Sequence, residues 1–335
     1  MQSDNDINTI KKLSAVRRNA DGHWVGDGFP VRTLFSYPDL GAALSPFLLL
    51  DYAGPMDFPP TNERRGVGEH PHRGFETVTI VYQGEVEHQD SSGGGGSIGP
   101  GDVQWMTAAS GVVHEEFHGR NFARQGGIFE LVQLWVNLPA KDKMTSPRYQ
   151  NILGSQIPSV SLADNQGSAR VIAGEFEGAS GPAKTFTPMC VLDLRLNSEQ
   201  AINLAVPEGW TTVLVVLQGT LRIGSELVEA AEVALFERDG SGISIDSAQH
   251  LTALLLCGEA IDEPIAGGGP FVMNTSVEIQ QAMSDYRNGE MGSLPLKARN
   301  MPQTCMCSKT RINHSLPPWR LLSMLWSAHY PKTCR

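Results

Sequence analysis

No stretch of about 18 consecutive apolar residues occurs in this chain of 335 residues, so no membrane-spanning helix is expected. The first residues, MQSDNDINTIKKLS, lack the apolar core of a secretory signal, which makes the cytoplasm the expected compartment. Cysteine is sparse. The five (Cys190, Cys257, Cys305, Cys307 and Cys334) are an odd number, which argues against a disulfide framework. Cys190 and Cys257 lie in apolar runs and read as small buried hydrophobes. Cys305-Met306-Cys307 lacks the two-residue gap usual in zinc sites. Acidic residues are absent from 294 to 335, where seven basic ones occur, and this leaves 19 basic against 36 acidic residues in the body. A body of that charge repels a phosphate backbone and excludes direct nucleic-acid binding by the folded part. The chain also has no nucleophile elbow and no phosphate-cradling glycine motif, which excludes serine-hydrolase and P-loop chemistry.

What is present is punctuation: 35 glycines and 21 prolines break the apolar pattern into short runs, as an all-β chain requires. Five of the nine histidines (His70, His72, His88, His114 and His118) crowd into residues 69–118. Alternate residues of a strand share a face, so His70 and His72 point one way, as do His114 and Glu116. Two such strands side by side would converge four ligand side chains on one point. Among the nearby acids, Glu115 and Glu69 face away by alternation. Glu76 has the parity of His70 and His72 only if the strand runs unbroken through Gly74, so Glu116 is preferred and Glu76 is the runner-up. His118 has the right parity but sits at an apparent strand end. Three imidazoles and a carboxylate suit iron(II), and also Mn, Co, Ni, Cu or Zn, with coordination positions left for substrate.

The second half echoes the first. Residues 80–86 (IVYQGEV) resemble 215–221 (VVLQGTL), and 102–106 (DVQWM) correspond to 232–236 (EVALF). This is the spacing of two similar barrels rather than a solenoid. Carried across, His70, His72, His114 and Glu116 fall on Ala205, Pro207, Ser244 and Asp246, so the copy should hold no metal. The expected division is a metal-binding barrel over 1–140, a degenerate barrel over 141–293 and a basic, disordered tail over 294–335. The second unit is closed by a helix with Thr275 and Glu278 as its capping box, Ile279, Ala282, Met283 and Tyr286 on one face, and Gly289 at its end. Residues 91–97, rich in glycine, read as a flexible hairpin tip, and 139–147 as an exposed linker.

HPHRGFETV at 70–78, IGPGDVQWMTAASGVVHEEF at 98–117 and GPFVMNTSVEI at 269–279 closely resemble the pirin family of the cupin superfamily, over about residues 10–293. The resemblance implies an all-β bicupin: two antiparallel, jelly-roll β-barrels with a short C-terminal helix. It also implies His70, His72, His114 and Glu116 as ligands of one metal ion, iron above all. Some bacterial members of the family that this chain resembles are quercetin 2,3-dioxygenases (quercetinases), oxidoreductases that open a flavonol ring with O2 and release carbon monoxide. In such a reaction Glu116, or less readily Glu76, would accept the substrate's proton. Phe75, Trp105 and Met106 would then line a pocket for a flat aromatic ligand. The family equally implies an alternative: a non-catalytic, iron- and redox-dependent regulator that binds a transcription factor or metabolic enzyme as its protein partner. Whichever holds, elemental analysis of the metal-loaded protein is expected to find a single equivalent per chain.

Overall fold

Runs of β-branched and aromatic residues cut by Gly, Pro and Asp form strands because their side chains pack well on a pleated surface and poorly against a helical turn. In a computed structural model, residues 7–18 and 21–295 are described; the basic tail and its cysteines lie almost wholly outside them. The first twelve strands are β1 (Leu13–Arg17), β2 (Gly22–Val25), β3 (Phe29–Ser36), β4 (Phe47–Phe58), β5 (Gly66–His72), β6 (Phe75–Gln83), β7 (Val86–Asp90), β8 (Gly95–Ile98), β9 (Val103–Thr107), β10 (Val112–His118), β11 (Gly127–Asn137) and β12 (Arg148–Ile152). A seven-stranded sheet in the order β12-β9-β6-β11-β4-β3-β2 faces a four-stranded sheet in the order β5-β10-β7-β8, and all their pairings are antiparallel.

The second barrel repeats the plan. Strand Thr211–Ile223 takes the place of β6, flanked by Glu232–Phe236 and Ser247–Gly258 as β6 is by β9 and β11. The echo in sequence is thus an echo in topology. Gly84 and Gly219, the matched glycines, both have positive φ (88° and 75°), and a Cβ on either would collide with the neighbouring strand or ring. Strands Ile202–Ala205 and Gly242–Ile245 pair where β5 and β10 pair in the first barrel, with Asn203 opposite Ser244. Here Ile202, Leu204, Ile243 and Ile245 pack among Leu192, Leu194, Leu214 and Val216. Aliphatic side chains fill this interior, and no group of residues able to hold a metal ion occurs there among the described residues.

The large sheets of the two barrels pack face to face. Val78, Ile80, Val103, Trp105, Val132 and Leu134 meet Val191, Val213, Val215, Leu254 and Leu256 in one core. Each such side chain contributes about 1.5–3 kcal/mol on burial. Two carboxylates in this layer are fully paired: Glu130 accepts from Tyr52, Gln83 and Gln218, and Asp193 accepts from Tyr82, Arg170 and Arg195.

Elements cross the expected boundary at residue 140 in both directions. β1 pairs with Glu232–Phe236 in the second large sheet, and β12 pairs with β9 in the first. The C-terminal helix, Ser276–Arg287, has the expected capping box, with Thr275 and Glu278 bonded reciprocally. It does not close the second barrel, however. Ile279 and Ala282 pack with Val113, Phe271, Met273 and Met291, and Asp285 accepts a 2.6 Å hydrogen bond from buried Arg73 of the first barrel. The stretch 139–147 is likewise more than an exposed linker. Lys143 is buried, and its ammonium group donates to the carbonyls of Gly74 (2.6 Å) and Val272 (3.0 Å) and to Asn137 Oδ1 (2.6 Å).

Gly74 decides where the second half of the histidine motif goes. Its φ of +87° ends β5 at His72 and starts β6 at Phe75 in the other sheet, and a Cβ there would lie 2.1 Å from the Val272 carbonyl. Parity with His70 is lost at that turn. Glu76 therefore emerges on the face of β6 that carries Val78 and Ile80 into the inter-barrel core, where it accepts from Thr107 Oγ1 at 2.6 Å. Burial pushes its carboxyl up to about 7, from 4.5. The folded protein keeps that proton while the unfolded chain releases it, so stability falls as pH rises from about 4.5 to about 7. Glu76→Gln is expected to flatten this slope and to gain on the order of 2 kcal/mol at pH 8 but little at pH 4. Urea unfolding at the two pH values measures both.

Candidate metal centre

β10 lies between β5 and β7, and this register assembles the site. His114 is opposite His70 on one side and Asp90 on the other; Glu116 is opposite Val67 and His88. Two residues of β10 thus span three of β5, a bulge that places Gly68 and Glu69 outside the ladder. The bulge has a use: its Gly68 carbonyl accepts a 2.8 Å hydrogen bond from His70 Nδ1. His72 Nδ1 is held in the same way by the Pro270 carbonyl at 3.2 Å, and His114 Nδ1 lies 3.3 Å from His88 Nδ1. With each Nδ1 occupied, the Nε2 atoms are left for a ligand, and His114 Nε2 is buried without any partner.

The ring centroids of His70, His72 and His114 lie 4.1–4.9 Å apart, and their ligand atoms fall within 4.8 Å of one another. A second group meeting the same distance limit, His88, His114 and Glu116, overlaps the first at His114. Glu116 accepts from Gln104 Nε2 (3.1 Å) and Gln133 Nε2 (3.4 Å). Desolvation pulls His70 down, His72 down to about 3 and His114 well below the usual imidazole range. Burial alone would raise the Glu116 carboxyl, but the His88 ring beside it, then His70 and the Gln133 amide, outweigh this and hold it low. Neutral imidazoles and an ionised carboxylate are the protonation states that a divalent transition ion needs, so the donor set fits such an ion.

Of the other residues singled out in the sequence, Phe75 stands by the site, its ring 5.1 Å from His72. Met106 is buried with Ala108 and Val112 against Tyr149, on the face of β9 that carries Gln104. Trp105 is no pocket residue: alternation turns it into the core between the two large sheets, beside Val78 and Val103. Glu76 faces the same way and takes no part in the site. His118, at the end of β10, bonds the Gly28 carbonyl at 2.7 Å and stacks on Phe129, clear of the histidine cluster. The sequence reading missed Gln104, Gln133, Tyr149 and Trp135, and gave His88 no role. Trp135 lies 5.4 Å from His72 and 4.3 Å from Phe75, and it is half-buried, as are His70 and Gln133. A signal for His88 was available: His88 and Asp90 are alternate residues of one strand, as His70 and His72 are. The glycine-rich tip is anchored as well. Asp90 Oδ1 accepts from Ser92 N, Ser92 Oγ and Gly94 N, and Ser91 Oγ donates to the Met291 carbonyl.

Two antiparallel β-barrels in tandem, with a histidine-rich centre in the first and an aliphatic filling in the second, define a bicupin. The Pirin family profile matches residues 28–136 and that of the pirin C-terminal cupin domain residues 191–292, and the chain belongs to the pirin family. It is 58% identical over 280 residues to a Pseudomonas aeruginosa protein provisionally named a quercetin 2,3-dioxygenase, covering 84% of this chain and 98% of that one. Human pirin is 36% identical, over 80% of this chain and 89% of its own. The crystal structure of a quercetin 2,3-dioxygenase from Acinetobacter baumannii superposes with a TM-score of 0.83 at 53% identity, covering 85% of this chain and 99% of that one.

Two histidines of β10 give a direct contrast. His114→Ala is expected to weaken binding of a divalent ion by more than roughly 100-fold, since it removes a ligand and not an outer partner. His118→Ala should leave metal content unchanged and lower stability by about 1–3 kcal/mol through lost aromatic packing. Equilibrium dialysis with elemental analysis and thermal unfolding separate the two effects.

Proposed function

We propose that this protein is a metal-dependent dioxygenase, with iron(II) as its first candidate ion, that opens the heterocycle of a flavonol such as quercetin with O2 and releases carbon monoxide. The observation that carries this reading is the set of three pinned imidazoles, with the His114 Nε2 unpartnered, beside an ionised carboxylate and next to half-buried Trp135, which buried Phe75 backs. His70, His72, His114 and Glu116 would hold the ion, which when bound supplies Lewis acidity and brings the substrate hydroxyl and O2 together.

The chain's own residues do the rest. Glu116, kept below the usual carboxylate range, is ionised at neutral pH and can accept the proton of the flavonol 3-hydroxyl. Gln104 and Gln133 each donate to one of its oxygens and so fix the plane in which that proton is taken. Trp135, half-buried and backed by buried Phe75 at 4.3 Å, offers a flat apolar face of the kind a flavonol ring stacks on. Trp135 takes the place suggested for Trp105, and Phe75 supports it from the core side. The family resemblance and the names of the Pseudomonas and Acinetobacter proteins support the same reading.

Iron-loaded protein is expected to consume quercetin with release of one carbon monoxide per turnover. Compared at equal metal occupancy, Glu116→Gln should lower kcat by roughly 10²–10⁴-fold while quercetin still binds. Gas analysis and single-turnover spectroscopy measure the two. Full metal occupancy with no O2 uptake on any flavonol would overturn the reading and favour the metal-dependent regulator of a protein partner.

A further inference from the structure

Five hydrogen-bonding groups around His88 constrain one another. The ionised Glu116 carboxylate can only accept, so the Gln104 atom 3.1 Å from it is Nε2, and the Gln104 Oε1 left over accepts from the Tyr149 hydroxyl at 3.2 Å. Gln104 Nε2 then faces Glu116 Oε1 (3.1 Å) and His88 Nδ1 (3.2 Å), and an amide nitrogen can only donate. In the neutral ring His88 Nδ1 therefore accepts, and the ring carries its proton on Nε2, which lies 3.2 Å from Asp90 Oδ2. The same His88 Nδ1 is 3.3 Å from His114 Nδ1, which must therefore be the donor. His114 then has a bare Nε2, the buried atom without a partner. Asp90 cannot turn away, because its other oxygen accepts from Ser92 N (2.8 Å), Ser92 Oγ (2.6 Å) and Gly94 N (2.9 Å). The His88 ring is clamped from the side by Tyr149, stacked at 5.1 Å with 12° between planes.

We propose that Asp90 and His88 are positioning residues: a carboxylate–imidazole relay that sets the tautomer of His114 and aims its Nε2 lone pair at the metal. His88 is accordingly not itself a ligand, although it lies within ligand distance of His114 and Glu116. The relay also gives the Ser-Gly segment after Asp90 a task, since its backbone amides hold the carboxylate that starts the chain. The proposal rests on the reading of His114 as a metal ligand, and not on the identity of any substrate.

Asp90→Asn makes the sharpest test. The one remaining oxygen is required by Ser92 and Gly94, so the new amide group faces His88 Nε2 and donates to it. That amide and the Gln104 amide now both donate toward the same ring, so the His88 proton loses its fixed seat and His114 is no longer held in one tautomer. Nitrogen-15 shifts of the histidine rings in the metal-free protein are expected to show His114 as the Nδ1–H tautomer in the wild type and as a mixture of the two tautomers in Asp90→Asn. Cobalt(II) affinity, from competition with a chelator, should fall roughly 10–100-fold in Asp90→Asn and in His88→Leu. His88→Gln retains an acceptor for His114 Nδ1–H and should stay within about threefold of wild type. X-ray absorption of the cobalt-loaded protein should count three imidazoles in both the wild type and His88→Gln. Loss of one imidazole in His88→Gln, an unchanged tautomer in Asp90→Asn, or wild-type affinity in His88→Leu would each overturn the proposal. Absence of quercetin turnover would leave all these readouts in place and count only against the proposed reaction.

Discussion

The pairing of β10 between β5 and β7 is the constraint on which the rest depends. A strand displays alternate residues, so one strand alone can offer two ligands, and only its neighbours in correct register can add the others. Here the register sets His114 against His70 on one side and Glu116 against His88 on the other. A slip by one residue would turn His114 and Glu116 away from the barrel interior and bring Val113 and Glu115 inward. The bulge in β5 completes the arrangement by freeing the Gly68 carbonyl to hold His70.

Much of the remaining structure serves to keep that register. The segment 270–273 lies against the turn after His72, where Val272 N donates to the Arg73 carbonyl and the Pro270 carbonyl holds the His72 ring. Arg73 reaches Asp285 on the C-terminal helix, and Lys143 ties the carbonyls of Gly74 and Val272 together. Neither charge is stranded, since each has hydrogen-bonding partners within the fold. The distant end of the chain is thus part of the first barrel's centre, which explains why the family's third motif lies so far along the sequence from the other two.

The two barrels share a plan but differ in what fills them. The second keeps the strand order and the glycine turn of the first, while its interior is closed by leucine and isoleucine. In the first barrel the same inner face carries Gln104 and Gln133, which bond the site's carboxylate, and the buried, unpartnered hydroxyls of Thr77 and Thr79 lie beside them in register. Buried polar groups cost stability unless something pairs with them. Their presence in one barrel and absence from the matching face of the other marks the first interior as the one whose donors could hold a metal ion.

By itself the sequence determined the class of fold, the duplication, and the sharing of faces by His70 with His72 and by His114 with Glu116. Those properties follow from periodicity and from local turn chemistry, which neighbouring residues express without help. Tertiary structure alone decided the rest. Alternation carries information only while a strand is unbroken, and the positive φ of Gly74 sent Glu76 toward the inter-barrel core instead of the site, while the pairing of β9 with β6 decided that Trp105 faces the same core. Gln133, Trp135 and Tyr149 reach the centre from strands far along the chain, through sheet pairings that no local pattern specifies. His88 was visible as a residue but not as a participant, because its role depends on which atom of His114 it meets.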